Sequence, residues 1–351
     1  MKECSTVSFK GQVIYCGIDV HKKSWHVTIR HCCHQIENFS MNPDPVELAK
    51  HLKRNYPEAE YRSVYEAGFS GYEAHRTLCR LGMKNIVINP ADVPTSGKER
   101  EYKNDSADSR KLARELENGS LEGIYIPEPE NLELRNLTRR ETKLTGNIVR
   151  IKNRLHSHLF FLGLKFRGWS GRSLKIMELD AVKRHDYALL SDLRELRFLR
   201  EEKIRVIRDE RECLKRLNRD KIQENLQSIP GIGFRTAVVL QAELWDLLRF
   251  PNKDSLNSYV GLAPHTVGSG EHEKIKFGGN RKKKQLHYLL IESAWRAVRF
   301  NLEYRARYGA MLAKGACPQR AISIIAKKLL LSIRAVWIQN RQFVELLPRT
   351  K

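Results

Sequence analysis

The sequence contains no stretch of about 18 uncharged apolar residues, the least a membrane-spanning helix needs, and mean hydropathy over its 351 residues is −0.52. Its first residues, MKECSTVSFKGQ, lack the apolar core of a signal peptide. No lipidation signal or terminal polybasic tail marks a membrane anchor. Cysteine is sparse and scattered: seven residues, at positions 4, 16, 32, 33, 79, 213 and 317, an odd number in so long a chain. That usage fits a reducing compartment better than a disulfide framework. Acidic residues are also in short supply, with 41 Asp and Glu against 63 Lys and Arg, for a net charge of +22. The expectation is a soluble, unsecreted, cytoplasmic protein.

The basic excess is unevenly placed. The balance of Lys and Arg over Asp and Glu is +1 for residues 1–127, +8 for 128–227 and +13 for 228–351. A polyanion-binding surface is therefore expected in the C-terminal two thirds. Nucleic acid suits that surface better than a lipid headgroup layer, since no anchor accompanies the charge. No membrane partner is expected.

Periodicity divides the chain into three parts. QVIYCGIDV (12–20), SWHVTIRHC (24–32) and QIENFSM (35–41) are short β-rich runs with tight connections. A helix at NPDPVELAKHLKRNYP, a strand at YRSVYE, a helix at GYEAHRTLCRLG, a strand at KNIVIN and a further helix follow, giving the order βββαβαβα of an α/β layered domain over 1–127. The Pro-rich IPEPEN (126–131) closes it. Beyond lies a charged helical segment, 128–227. There Leu137, Leu144, Ile148, Ile151, Leu155, Leu159 and Leu162 keep nearly heptad spacing, and Leu193, Leu196, Ile204, Ile207, Leu214 and Leu217 form a second seam. Two such stripes bury each other in an antiparallel hairpin or in a dimer; within one chain the hairpin is the simpler arrangement. The third part, 228–351, is mainly α.

KNDSADSRKLA (103–113) sets Asp105 and Asp108 three apart at the start of an amphipathic run backed by Leu112 and Leu116. Residues three apart are neighbours on a helix surface, so the carboxylates repel. A helix start welcomes acids, because its N–H groups and dipole favour negative charge, and that alone accounts for them. Two further acids alter the balance: Asp19 ends the first strand in CGIDVHK, and Glu66 ends the fourth in VYEAG. Adjacent strands bring such ends together, with the acidic helix over them. Four carboxylates without basic partners converge only if cations neutralise them. Mg²⁺, with Mn²⁺ as a substitute, takes oxygen ligands and is commonly shared with phosphate.

In the third part, Pro230-Gly231-Ile232-Gly233 allows a tight turn before a helix, so that the N–H groups around Gly231 and Gly233 can approach a phosphate, as in a helix-hairpin-helix clamp. NRKKKQLH (280–287) is the densest positive run, and Arg281, Lys282, Lys283 and Lys284 read as phosphate contacts. Arg296, Arg299, Arg305 and Arg307 extend that character. Trp295, on an amphipathic helix, is expected in the core. HCCH (31–34) reads as a hairpin turn, since four consecutive residues cannot wrap one tetrahedral ion. Ser269 in GLAPHTVGSGEHEKIKFGGN, taken alone, reads as a turn residue.

In order along the chain, GIDVHK, YEAG and NDSADSRKLA resemble the RNase H-like, RuvC-like nuclease fold with its DEDD acidic tetrad. IPGIG, YVGLAP and SG, with GGNRKKKQLHYLLIESAW, resemble the C-terminal domain of DEDD insertion-sequence transposases. The resemblance spans nearly the whole chain. It implies an RNase H-like mixed-sheet domain, a coiled-coil spacer and a transposase domain with a helix-hairpin-helix-like motif. It also implies that Asp19, Glu66, Asp105 and Asp108 bind the metal and that Ser269 is a nucleophile on DNA phosphate, conserving phosphodiester energy in a covalent link. DNA, a structured bridge RNA that supplies sequence choice by pairing, a homodimer or homotetramer with a composite site, and a nucleoid location follow from it. The chain departs from the family pattern at Asn104 and Ser109, beside the acids, and at Glu271 and Glu273, where basic residues usually follow the serine. The alternative is a Holliday-junction-resolvase-like metal-dependent endonuclease, in which water attacks and Ser269 is structural.

Overall fold

The computed structural model describes residues 8–94, 105–267, 274–277 and 283–344. The chain divides into two compact units, Met1–Ile126 and Pro127–Lys351.

The first unit is α/β. Strands β1 (Val13–Val20), β2 (Trp25–His31), β3 (His34–Met41), β4 (Glu60–Glu66) and β5 (Lys84–Ile88) form one mixed sheet in the order β3-β2-β1-β4-β5. The β1–β2–β3 meander is antiparallel, whereas β4 pairs parallel to both β1 and β5. Parallel neighbours need a crossover, supplied by α1 (Pro45–Asn55) between β3 and β4 and α2 (Glu73–Arg80) between β4 and β5. Asp44 caps α1 by accepting from the Val46 amide at 2.7 Å. The element order matches that read from hydrophobic periodicity. The central strands bury Ile14, Cys16, Ile18, Val27, Ile29 and Tyr65 against Leu48, Leu52 and Leu78 of the helices.

HCCH is a hairpin turn, as its spacing implies. His31 pairs with His34, and Cys32 and Cys33 take positive φ values of 47° and 65°. Two successive left-handed residues match the right-handed twist of the flanking strands. The turn is also anchored from a distance: Glu117 accepts from the Cys33 amide at 2.7 Å and from Arg30 Nε at 2.7 Å.

Helix α3 (Asp105–Glu117) lies on the sheet, packing across β1, β2 and β4. Its contact with β1 is backbone to backbone. A β-carbon at Gly17 would overlap the carbonyl oxygen of Ser109 and the amide of Ala113, and would come within 3.0 Å of the Ala113 α-carbon. Glycine in the interior of a strand weakens the strand but permits such an approach.

In the second unit, α4 (Pro129–Phe161) and α6 (Tyr187–Arg216) pack along their length, joined through α5 (Gly171–Lys183). Leu144, Ile151, Leu155 and Leu159 meet Leu189, Leu193, Leu196, Leu199 and Val206. Each such buried side chain contributes roughly 1.5–3 kcal/mol of transfer free energy. The first seam is the one the spacing indicates. The second is shifted, because Ile204 is 61% exposed and Val206 takes the inward position.

The rest of this unit comprises α7 (Asp220–Gln227), α8 (Phe234–Leu244), α9 (Lys253–Val260), the strands β6 (Pro264–Val267) and β7 (Lys274–Phe277), α10 (Lys284–Phe300), α11 (Leu302–Ala313) and α12 (Pro318–Ile338). The last three helices enclose Leu290, Ala294, Leu329, Leu330 and Ile333 with Leu240 of α8. Helix α4 is pinned to α8 through the buried carboxylate of Glu243: buried Arg135 donates to it at 2.7 Å and the more exposed Arg139 donates to it at 3.0 and 3.1 Å. Burial alone would raise the Glu243 pKa, but these guanidinium groups hold the carboxyl below its ordinary value. Trp295, expected in the core as a large ring on an amphipathic helix, is instead 41% exposed, edge-on to Tyr308 at 5.5 Å.

Candidate active site

The acids of the first unit are best located by the side chains two residues before them. In β1 and β4, Gly17 pairs with Val64 and Ile18 with Tyr65. Strand side chains alternate in direction. Asp19 therefore shares the face of Gly17, and Glu66 the face of Val64. That face is the one α3 covers, since the helix backbone rests on Gly17 and Leu112 packs with Val64 and Ile88. Asp19 and Glu66 thus end adjacent parallel strands on the helix-covered face.

The direction of α3 follows from two fixed points. Glu117 pairs with Arg30, which stands opposite Tyr15 of β1, whereas Ser109 bonds to Thr28, which stands opposite Gly17. The helix therefore runs against β1, and its first turn points toward the end that carries Asp19. Asp108 is one turn before Leu112, on the side of the helix that faces β4. Asp19, Glu66 and Asp108 accordingly occupy one corner of the sheet. Among the described residues, no group of three or more His, Cys, Asp or Glu side chains lies within metal-holding distance. The Asp105 side chain and Asn104 lie outside the described residues.

A ring of three hydroxyls and one amide, buried at Thr28 and Ser109 and half-buried at Asn38 and Ser106, sets the pose of α3. Ser106 donates to Asn38 Oδ1 at 3.0 Å, Asn38 donates to Thr28 Oγ1 at 2.6 Å, and the Thr28 and Ser109 hydroxyls are 2.9 Å apart. Ser109 in turn donates to the Ser106 carbonyl at 3.2 Å, so Thr28 is the donor in the Thr28–Ser109 bond. Ser109, a departure from the family pattern beside the acids, is fully buried and ties the acidic turn to β2. The sequence gives little sign of Thr28, Asn38 and Ser106 in this role, although polar residues on an otherwise apolar strand face are the available signal.

The rim of this corner carries two more groups. His21 Nε2 lies 3.2 Å from Asp19 Oδ2, the carboxyl being 22% exposed. Lys22 Nζ stands 5.9 Å from the ring centroid of Phe69, which is 64% exposed in the loop after Glu66.

In the second unit, Gly231 takes φ +86° and packs against α10: a β-carbon there would collide with the Ser293 carbonyl and lie 2.9 Å from the Ala297 amide. Helix packing is thus one requirement for glycine at this position. Gly233 is exposed, has extended backbone and leads into α8 without a side-chain cap. Lys283 and Lys284 are exposed at the start of α10, with Lys283 Nζ 5.5 Å from the Tyr259 ring. Ser269, Glu271, Glu273, Arg281 and Lys282 lie outside the described residues. The strands on either side of Ser269, β6 and β7, pair antiparallel from Pro264 with Phe277 to Val267 with Lys274. Among the described residues no helix is long and apolar enough to cross a membrane.

Two family models match the chain. A DEDD transposase model of the IS110 type matches residues 16–162, which hold all four acids, and a model described as the transposase IS116/IS110/IS902 family matches 223–309. A transposase-like protein of Sinorhizobium fredii, y4qE, is 26% identical over 239 residues, covering 66% of this chain and 57% of its own length. The transposase for insertion sequence element IS1111A of Coxiella burnetii is 25% identical over 241 residues, covering 66% and 64%. The transposase for IS1328 of Yersinia enterocolitica is 24% identical over 332 residues, covering 93% and 96%. The chain spans about three fifths of the length of the first two relatives.

Proposed function

Because the chain belongs to the IS110-type family of DEDD transposases, we propose that it cuts and rejoins DNA during the movement of an insertion element. The observation that carries this reading is the corner of the sheet where Asp19 and Glu66 end paired parallel strands and the first turn of α3 is laid over the same face. Carboxylate oxygens are hard ligands suited to Mg²⁺ or Mn²⁺, so Asp19, Glu66, Asp105 and Asp108 are the residues assigned to hold the metal. When bound, the metal supplies Lewis acidity to a phosphodiester oxygen.

The rest of the chemistry belongs to the chain. Ser269 is assigned as the nucleophile. Its oxygen bonds to phosphorus, its proton passes to a base, and one phosphorus–oxygen ester bond breaks to free a hydroxyl end. Hydroxyl nucleophiles need such activation. The covalent link keeps the phosphodiester energy until a second strand end displaces the serine. Gly231 and Gly233 in a helix-hairpin-helix-like turn, with Arg281, Lys282, Lys283 and Lys284, are assigned to backbone phosphates, which carry no base information. Target choice is assigned to a structured bridge RNA. The paired helices α4 and α6 serve as a coiled-coil spacer, and the working form is a homodimer or homotetramer.

Incubating the full-length chain with element-end DNA, flanking RNA and Mg²⁺ tests this. A covalent protein–DNA adduct is expected from the native chain and none from Ser269→Ala. Cleavage at native rate by Ser269→Ala, without an adduct, would instead establish the endonuclease alternative.

A further inference from the structure

Helix α10 packs Leu286, Leu290, Ser293, Ala294 and Ala297 inward. The opposite face of such a helix is ordinarily polar. Here it is not: Tyr288 is 60% exposed and Trp295 41%. At about 100° per residue, Lys284, Tyr288, Trp295 and Arg299 fall within roughly 60° of arc, directly opposite the buried face. The order along the axis is cation, ring, ring, cation.

The two rings are seven residues apart, about 10 Å at about 1.5 Å per residue. Three stacked base steps at about 3.4 Å span the same length. The cations at either end have no carboxylate partner among the described residues. Arg305 is committed elsewhere, donating to the Val298 carbonyl at 3.3 Å and to that of Arg299 over the end of the helix. Glu292 is the acid on this side of the helix. It lies between the rings, where base edges rather than phosphates would come.

We propose that the outer face of α10 binds unpaired nucleotides, with bases stacked on Tyr288 and Trp295 and the strand's phosphates held by Lys284 and Arg299. Rings recognise bases only where these are unpaired, whereas a basic helix alone would take duplex equally well. The assignment rests on the reading of the chain as a nucleic-acid-processing transposase and adds a single-strand site to it. Charge selects the occupant: an apolar protein partner would gain nothing from the flanking cations.

The test uses the full-length chain, a labelled single-stranded oligonucleotide of mixed sequence and the matching duplex, with affinity read by fluorescence anisotropy over a salt series. Tyr288→Ala and Trp295→Ala are each expected to weaken single-strand binding roughly tenfold, leaving duplex affinity unchanged, with circular dichroism confirming that each variant is folded. Trp295→Phe should retain most of the affinity, and Arg299→Gln should lower the salt slope by about one. Native single-strand affinity in the double ring variant would overturn the proposal, as would an equal loss on duplex. A drop in molar mass by light scattering with unchanged affinity would also overturn it and make this face a contact between copies. If the native chain bound neither nucleic acid, the transposase reading itself would fail. If the Ser269 adduct formed normally while the ring variants bound as the native chain does, only the α10 site would.

Discussion

Gly17 and Ser109 touch through their backbones, 92 positions apart, because residue 17 has no side chain to separate them. This contact sets how closely the acidic turn of α3 approaches the strand that ends in Asp19. Gly17→Ala is expected to lift or tilt the helix. Overpacking of this kind typically costs about 1–3 kcal/mol, read as a lower denaturation midpoint. DNA cleavage should fall further than stability does, since a misplacement of about 1 Å can cost about 100-fold in rate. An alanine variant with native cleavage would show that the close approach is not needed.

Thr28→Val removes the donor that holds Ser109 and the acceptor of Asn38, leaving buried groups unsatisfied. The expected loss is about 1–3 kcal/mol, and turnover should fall while DNA affinity stays native, because Thr28 positions Asp108 without touching substrate. Thr28→Ser, which keeps the hydroxyl, should restore turnover. Equal behaviour of the valine and serine variants in a single-turnover assay would remove the hydroxyl ring from the account.

Much of this arrangement was legible in the sequence, and the remainder was illegible for a physical reason. The succession of strands and helices along the first 127 residues and the acids at strand ends follow from local patterning, whereas the order of the strands within the sheet does not. The partners of α3 do not, since Thr28 and Ser109 are far apart in the chain and only the tertiary fold joins them. Gly17 carried a usable signal, a glycine inside an otherwise apolar strand. Helical spacing failed at Ile204, where Val206 takes the inward position instead. Trp295 departs for another reason, since a large ring suits the core but this one lies opposite the buried leucines of α10. Ser109 reads as peripheral beside the acids, and its burial against β2 shows it to be structural.

Glu210 is buried in α6, where Glu141, Arg235, Lys203 and Asp209 are the charged groups around it. Burial, with repulsion from Glu141, pushes its pKa up to about 7. A carboxyl raised in the folded state favours folding while protonated. Its contribution is therefore complete below about 4.5, the unfolded value, and is lost as pH rises through about 7. At about 1.4 kcal/mol per unit the full effect is roughly 3 kcal/mol. Glu210→Gln is expected to abolish that decline, so that the difference in unfolding free energy between variant and native chain grows from pH 4.5 to 7. A difference independent of pH would show that Glu210 titrates normally.

The most direct measurement is Mn²⁺ binding to the full-length chain, followed by the loss of the free-ion paramagnetic resonance signal. Asp19→Asn, Glu66→Gln, Asp105→Asn and Asp108→Asn are compared with the native protein, with circular dichroism confirming that each variant is folded. The expected result is a saturable site in the native chain that each single substitution weakens at least about tenfold, as the proposed sharing by all four carboxylates requires. Native affinity in any folded variant would remove that acid from the site, and native affinity in all four would contradict a shared metal pocket.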